Sequence, residues 1–341
     1  MKVLFLIEGW ITPASRYRVL QYLPYLAEQG IAFTVRALHG ESYPSLMRKP
    51  LAGKVYKALV RSRRWFQIGD AGDFDVVFLQ RLTLPFSSAI ERRLARINPR
   101  FIFDFDDALF QTEGGPHPGR MKVFRQVVDA ADQVLAGSRY LADVARPDSC
   151  IIPTVINTLA YKPQKNEQDK LVIGWMGTHS NYPNFELILV ALSRLLERFP
   201  QVHLTIVSDV APPFSLPRLT FETWDKDREI ADLQSFHIGI MPLTDTSWNR
   251  GKCAFKIIEY MSVGIPVVAG RVGANAEVVL EGDTGFLAEG PQEWESALAR
   301  LIQDPDLRSR LGQAGRDRCV AHYSVDSQKE NFLGLLRRVA G

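Results

Sequence analysis

The sequence predicts an α/β protein made of two doubly wound parallel-sheet domains, and three observations predict it. Short apolar runs alternate with stretches of helical apolar spacing, the pattern of parallel β-α units. At 341 residues the chain exceeds one ordinary domain and suits two of about 150 residues each. The alternation lapses over Asn157–Lys170, where Pro163 and a polar run carry little periodicity, and restarts at Leu171.

In the first half the strand candidates are Val3–Ile7, Phe33–Ala37, Val76–Gln80, Phe101–Phe105, Gln133–Ala136 and Cys150–Ile152. Between the first two, Val19, Leu20, Leu23 and Leu26 recur at helical spacing, predicting a helix over Tyr17–Gln29 with Gly30 as its stop. The second half opens with a strand at Leu171–Trp175, followed by a helix over Phe185–Arg198 and strands at His203–Val207, Gly239–Pro242 and Pro266–Ala269. A closing helix spans Val325–Val339 on Phe332, Leu333, Leu335 and Leu336. The expected domains are residues 1–160 and 168–322, with the segment 325–341 packing back on the first. In doubly wound sheets ligands bind at the carboxyl ends of the strands, and two such sheets facing each other make a cleft.

Hydrophobic residues at 46% and charged residues at 23% are those of an ordinary globular α/β protein. A net charge of +3 is too small to imply nucleic acid as a partner. Cys150, Cys253 and Cys319 are odd in number and far apart, which argues for a reducing compartment and against a disulfide framework or metal cluster. The apolar start at Met1–Ile7 ends at Glu8, too early for a signal peptide. Nowhere does an apolar run reach the ~18 residues of a spanning helix, so the expected location is cytoplasmic or peripheral on the inner membrane face. Seven Lys or Arg and no acid fall between Arg48 and Arg64. This stretch reads either as a solvated helix or as an amphipathic one on anionic lipid, with Val55, Leu59 and Val60 inward and Trp65–Phe66 at the interface.

The run Gly251–Ala269 reads as a helix flowing into a strand. Lys252, Lys256 and Glu259 stand at i, i+4 and i+7, on one helix face near its start. Cations at the positive end of the helix dipole make sense where an anion docks, and a pyrophosphate leaving group is such an anion. A carboxylate one turn on accepts hydrogen bonds from a ribose diol. The bland alternative is a solvated helix with a Lys256–Glu259 ion pair worth a few tenths of a kcal/mol.

Phe255-Lys-x-x-Glu-Tyr-Met-x-x-Gly-x-Pro-Val-Val268, together with Gly282-Asp-Thr-Gly-Phe-Leu287, resembles the nucleotide-binding region of the retaining GT-B glycosyltransferases of family 4, the glycosyltransferase group 1 domain. Ile173-Gly-Trp-Met-Gly177, Ile238-Gly-Ile-Met-Pro-Leu243, Gly137-Ser-x-Tyr-Leu141 and Ile152-Pro-Thr-Val-Ile-Asn157 resemble further motifs of that family, in the right order along most of the chain. The resemblance implies two Rossmann-like domains facing across a cleft, with the nucleotide held mainly by the second. It implies an EC 2.4 transferase moving a sugar from a nucleotide-sugar donor to the hydroxyl of a glycan or lipid-linked glycan, as in polysaccharide biosynthesis. Retention of anomeric configuration follows from the same resemblance, with the leaving phosphate assisting deprotonation and neither cofactor nor metal required.

Two departures stand out. The family pattern has two glutamates with seven residues between them; Glu259 matches the second and Gly251 falls on the first, so the sugar hydroxyls would be held by another group such as Asp245 or Asn249, or not at all. The family also carries an Arg and a Lys after the first strand of its second domain, and Gly177-Thr-His-Ser-Asn-Tyr182 supplies neither in the expected place. These departures keep a rival reading in play, a non-catalytic GT-B scaffold or nucleotide-sugar-binding protein; a nucleotide-sugar epimerase is the weaker third.

Other candidates are single residues or short clusters. Gly177 would admit a phosphate close to the backbone, or simply make a tight turn. Trp224 could stack on the base, or sit in the core. Asp104, Asp106 and Asp107 follow a strand and would orient an acceptor hydroxyl; metal chelation and helix capping are the alternatives. Ser15, Arg16 and Arg18 lie in the loop after the first strand, where an acceptor or donor phosphate would be met. Of the histidines, His179 is the candidate for proton transfer and His117 is not.

Overall fold

A computed structural model of the chain describes residues 1–40, 59–60, 62–164 and 170–341. They divide into two compact units, one of Met1–Val155, Gly251–Cys253 and Gln328–Gly341, the other of Ile156–Arg250 and Ala254–Ser327.

The first unit holds a parallel sheet of β1 (Lys2–Gly9), β2 (Ala32–His39), β3 (Val76–Gln80), β4 (Phe101–Phe105), β7 (Gln133–Ala136) and β8 (Cys150–Ile151), with a small antiparallel pair, β5 (Gln111–Thr112) and β6 (Gly115–Pro116), outside it. The order is β2-β1-β3-β4-β7-β8, and Phe5 pairs with Val35 on one side and Phe78 on the other. Val3 to Ile7 have no exposed surface, as a strand covered on both faces requires. From Gln328 on, the helix Val325–Ala340 belongs to this unit, where the Phe332 ring stacks on Tyr22 at 4.3 Å and tilts against Phe78 at 5.4 Å. The single helix expected over Tyr17–Gln29 is three pieces, Pro13–Arg18, a 3-10 turn at Leu20–Tyr22, and Leu23–Glu28. Pro24 is the cause: it has no N–H to give, and in an unbroken helix its ring would meet the carbonyl of Leu20.

The second unit holds a parallel sheet of β9 (Leu171–Met176), β10 (Val202–Ser208), β11 (Leu219–Thr223), β12 (Ile238–Met241), β13 (Val267–Gly270) and β14 (Gly285–Ala288), in the order β11-β10-β9-β12-β13-β14. The chain runs outward from β9 to β11 and then returns to β12 on the other side of β9. That reversal makes a crevice at the carboxyl ends of β9 and β12, the place where open α/β sheets bind ligands. Edge strand β11, half exposed along its length, has too little apolar alternation to be read from sequence. The helix expected over Phe185–Arg198 is α-helical only from Leu189; His179–Leu187 is 3-10, with Pro183 inside it.

Much of the basic stretch Arg48–Arg64 lies outside the described residues. Of its described part, Val60 is buried as expected, but Leu59 is exposed rather than inward. Arg64 is not a surface cation: it is 1% exposed and donates to the carbonyls of Ile7 at 2.7 Å and Arg36 at 3.2 Å. Burial and neighbouring arginines pull its guanidinium down to about 9. Trp65 and Phe66 do face out. Among the described residues no helix is long and apolar enough to cross a membrane.

Candidate active site

At the β9/β12 crevice the chain leaves β9 through Gly177, whose N–H donates to the carbonyl of Val207 at 3.0 Å. A Cβ added at Gly177 would stand 2.3 Å from Cε of Lys256, so the lysine stem lies directly over this glycine. Lys256 is the second residue of the helix Phe255–Ser262, and its ammonium sits 5.9 Å from the ring centre of Trp175 on β9. Glu259, one turn further, is 7% exposed. The helix carries no acid in its first turn, so its amino end keeps its positive potential for an incoming anion.

Lys252 is not on this helix face. Ala254 adopts a left-handed backbone at φ 53°, which stops helical geometry from extending back to it, and Lys252 counts with the first unit. There burial lowers the pKa of its ammonium while Asp107 and Glu113 pull it back up.

His179 and Asp209 form a pair that the sequence did not announce. Asp209, the first residue after β10, accepts the backbone N–H of His179 at 2.8 Å and meets its Nδ1 at 2.6 Å. Trp224, just past β11, is 36% exposed, and its indole N–H donates to Glu229 at 3.1 Å, which fixes the ring at the strand end. Asp245 and Asn249, the candidates for the sugar hydroxyls, are otherwise engaged. Asp245 is locked to Arg250 at 2.6 and 2.7 Å. Asn249 is 5% exposed and spends its amide on Asn184 at 2.7 Å and the carbonyl of Thr244 at 2.9 Å, bracing the loop.

In the first unit the aspartate cluster separates by position. Asp104 is inside β4 with no exposed surface, and Nε of Arg18 reaches its two oxygens at 3.1 and 3.3 Å. Arg18 is itself 3% exposed and also donates to the carbonyl of Ile152 at 2.5 Å. This pair is interior scaffold, so neither residue meets an acceptor as the sequence suggested. Ser15 is also fully buried, donating to Gln80 Oε1 at 2.7 Å and accepting from the N–H of Gly9 at 3.3 Å. It braces the loop rather than lining it, and it is not the helix cap, which is Thr12. Arg16 lies partly exposed with its guanidinium 4.8 Å from the ring centre of Tyr17. His117 caps the helix Pro118–Ala130, its Nδ1 accepting from the N–H of Arg120 at 3.3 Å.

Asp106 and Asp107, beyond the strand end, do reach the carboxyl edge of the sheet. They meet there around a residue that the sequence reading missed. Arg81, the first residue after β3, donates to Asp106 Oδ1 at 3.0 and 2.9 Å, to Asp107, and stands 3.5 Å from Glu8. Its backbone is left-handed at φ 60°, a conformation that only surrounding structure can hold for a non-glycine residue. Burial raises the pKa of Asp107, with Arg81 and Lys252 opposing. Among the described residues no three His, Cys, Asp or Glu side chains gather as a metal-ligand set.

Two doubly wound parallel units, the second with an anion-ready crevice at its switch point, are the architecture of the GT-B glycosyltransferases. The Anabaena protein Alr3699/HepE, solved in complex with UDP-glucose, superposes with a TM-score of 0.72 over 99% of this chain and 100% of its own, at 16% identity, a likeness that shows the fold. The family model "Glycosyl transferases group 1" matches residues 170–304. Apart from Gly251–Cys253 that match lies within the second unit, and it likens residues 170–304 to the group 1 glycosyl transferases. An alpha-maltose-1-phosphate synthase of Mycolicibacterium smegmatis is 26% identical over 67% of this chain and 68% of its own length. A D-inositol 3-phosphate glycosyltransferase of Corynebacterium urealyticum is 27% identical, but over 49% of this chain and only 42% of its own length.

Proposed function

We propose that the enzyme transfers a sugar from a nucleotide-sugar donor to a hydroxyl of a glycan or lipid-linked glycan, with retention. The donor diphosphate docks in the β9/β12 crevice of the second unit, on the Gly177 turn, the amino end of the Phe255 helix and Lys256, while Glu259 takes the ribose diol. The observation that carries this reading is Lys256 lying over Gly177 at the switch point. Fixed positive charge at the departing diphosphate lowers the barrier, because that is where negative charge develops. Asp106 and Asp107, held by Arg81, orient the acceptor hydroxyl. The leaving phosphate takes its proton as the family resemblance implies, so the scheme calls on no enzyme nucleophile and no metal.

A thermal-shift screen of the full chain against UDP-, GDP- and dTDP-sugars tests the donor, since a ligand that binds only the folded state raises the melting temperature. Lys256→Ala is expected to weaken the stabilising sugar nucleotide by about tenfold to a hundredfold. Gly177→Ala should do nearly the same, because its Cβ claims the space of the lysine stem. Lys256→Ala should leave the melting temperature of the free protein nearly unchanged, whereas Gly177→Ala should lower it, because its Cβ would also stand 2.7 Å from the buried ring of Trp175. Failure of wild type to bind or slowly hydrolyse any of these donors sinks the transferase reading in favour of a scaffold.

We also place the protein in the cytoplasm, docked peripherally on the inner membrane face. Exposed Trp65 and Phe66, with Arg93 stacked 4.0 Å over the Trp65 ring, support an aromatic and basic lipid contact. Wild type should co-sediment with phosphatidylglycerol vesicles and not with phosphatidylcholine ones, and Trp65→Ala/Phe66→Ala should lose that binding.

A further inference from the structure

We infer that His179, oriented by Asp209, is a ligand of the donor diphosphate and makes donor affinity fall as pH rises. This rests on the donor reading above and adds to it a second cation, one that titrates.

The location comes first. His179 is two residues past Gly177, at the carboxyl end of β9, the strand at which the sheet reverses direction. The turn carrying it is tied to β10 by the Gly177 N–H, and Asp209 also follows β10. The histidine is thus built into the crevice by two strands rather than swinging free on a loop.

The orientation follows from the pair. One carboxylate takes both the backbone N–H and Nδ1 of the same residue, at 2.8 and 2.6 Å, and Ser208 Oγ donates to its Oδ1 at 3.2 Å. With Nδ1 committed to Asp209, Nε2 is the ring nitrogen turned away from the carboxylate, and the side chain is 56% exposed. A protonated ring therefore carries an Nε2–H that Asp209 does not take, on a side chain open to solvent at the carboxyl end of β9. Such a charge-assisted donor is strong toward a diphosphate oxygen.

The surrounding charges complete the case. The titratable or charged groups around this turn include Asp209 after β10, Tyr182 on the following 3-10 helix, and Lys256 over Gly177. Burial pushes the Asp209 carboxylate up, but the bonds from His179 and its own backbone together hold it below its usual range. The Tyr182 phenol is pushed up by burial and by Asp209, so it stays neutral. A diphosphate oxygen accepts more strongly from a charged ring than from a neutral one. Protonation of the ring and donor binding are thereby linked.

The test is calorimetric titration of the full chain with UDP-glucose, GDP-mannose and dTDP-glucose at about pH 6 and about pH 8, on either side of the ordinary imidazole range. A nucleotide sugar keeps its own diphosphate charge across that range. Wild type should bind its preferred donor about tenfold more tightly at the lower pH. His179→Asn should show at both pH values the weak binding of wild type at the higher one, with an unchanged melting temperature. His179→Lys should bind tightly at both, a rescue that a merely structural histidine would not give. If His179→Asn keeps wild-type affinity and pH dependence while Lys256→Ala loses binding, the inference is wrong and the donor site stands. If wild type binds none of the three donors, the donor reading falls and takes this one with it.

Discussion

Asp104→Ala is expected to cost about 3–5 kcal/mol of folding stability, because it leaves the guanidinium of Arg18 buried and unpaired. Both partners lie in the interior of the first unit, at 0% and 3% exposure, so water cannot replace the lost carboxylate. The remaining bond, to the carbonyl of Ile152, is neutral and does not balance the charge. Denaturant titration measures the loss directly. The double variant Arg18→Met/Asp104→Leu separates charge from packing: it should recover most of the stability, since apolar residues of similar volume often replace a buried pair at little cost. An Asp104→Ala protein that unfolds at the wild-type midpoint, yet loses activity, would return Asp104 to the acceptor site. Asp106→Asn and Asp107→Asn should behave in the opposite way, lowering activity with a smaller loss of stability.

Gly251→Glu, the change that would restore the missing first glutamate of the family pattern, is expected to damage the protein rather than improve it. A Cβ at this position would stand 2.5 Å from the Cβ of Ala108 and 3.2 Å from its backbone nitrogen, and the backbone cannot yield as a flexible side chain does. The carboxylate would also enter a buried position of the unit that holds Asp106 and Asp107. Overpacking and charge together should cost about 3 kcal/mol or more and lower the melting temperature by several degrees. Gly251→Ala isolates the steric part and should show roughly half the effect. A Gly251→Glu variant of unchanged melting temperature and tighter donor binding would show that the glycine is a dispensable departure. Otherwise Gly251 is the residue that lets its segment approach Ala108, and a glutamate is incompatible with that approach.

The sequence signals that worked were local. Val76–Gln80, Phe101–Phe105 and Gln133–Ala136 read as strands because a strand covered on both faces is a continuous apolar run bounded by polar residues. The helix Phe255–Ser262 was legible from the spacing of Phe255 to Met261, but its start was not. Ala254 carries nothing in its identity that announces a left-handed backbone, so Lys252 was drawn onto a face it does not share with Lys256. Asp104 and Asp106 looked equivalent as letters; one lies within β4 and the other past its end, a difference of one strand terminus. Arg81 and Asp209 were missed because their partners come from other loops. A signal for both existed, since each is the first residue after a parallel strand, where ligand-binding edges are built.

What the sequence by itself determined was the two-sheet α/β architecture, the restart at Leu171 and the helix that carries Lys256 and Glu259. Each of these rests on periodicity and short motifs, which depend on neighbours a few residues away. Only the tertiary structure decided which charges are free to meet a substrate. Arg18 and Asp104 cancel inside the sheet, Asn249 and Ser15 brace loops, and Arg81 collects carboxylates from the ends of two other strands. Pairing between loops depends on where strand ends converge, and burial then sets whether a charge is scaffold or site.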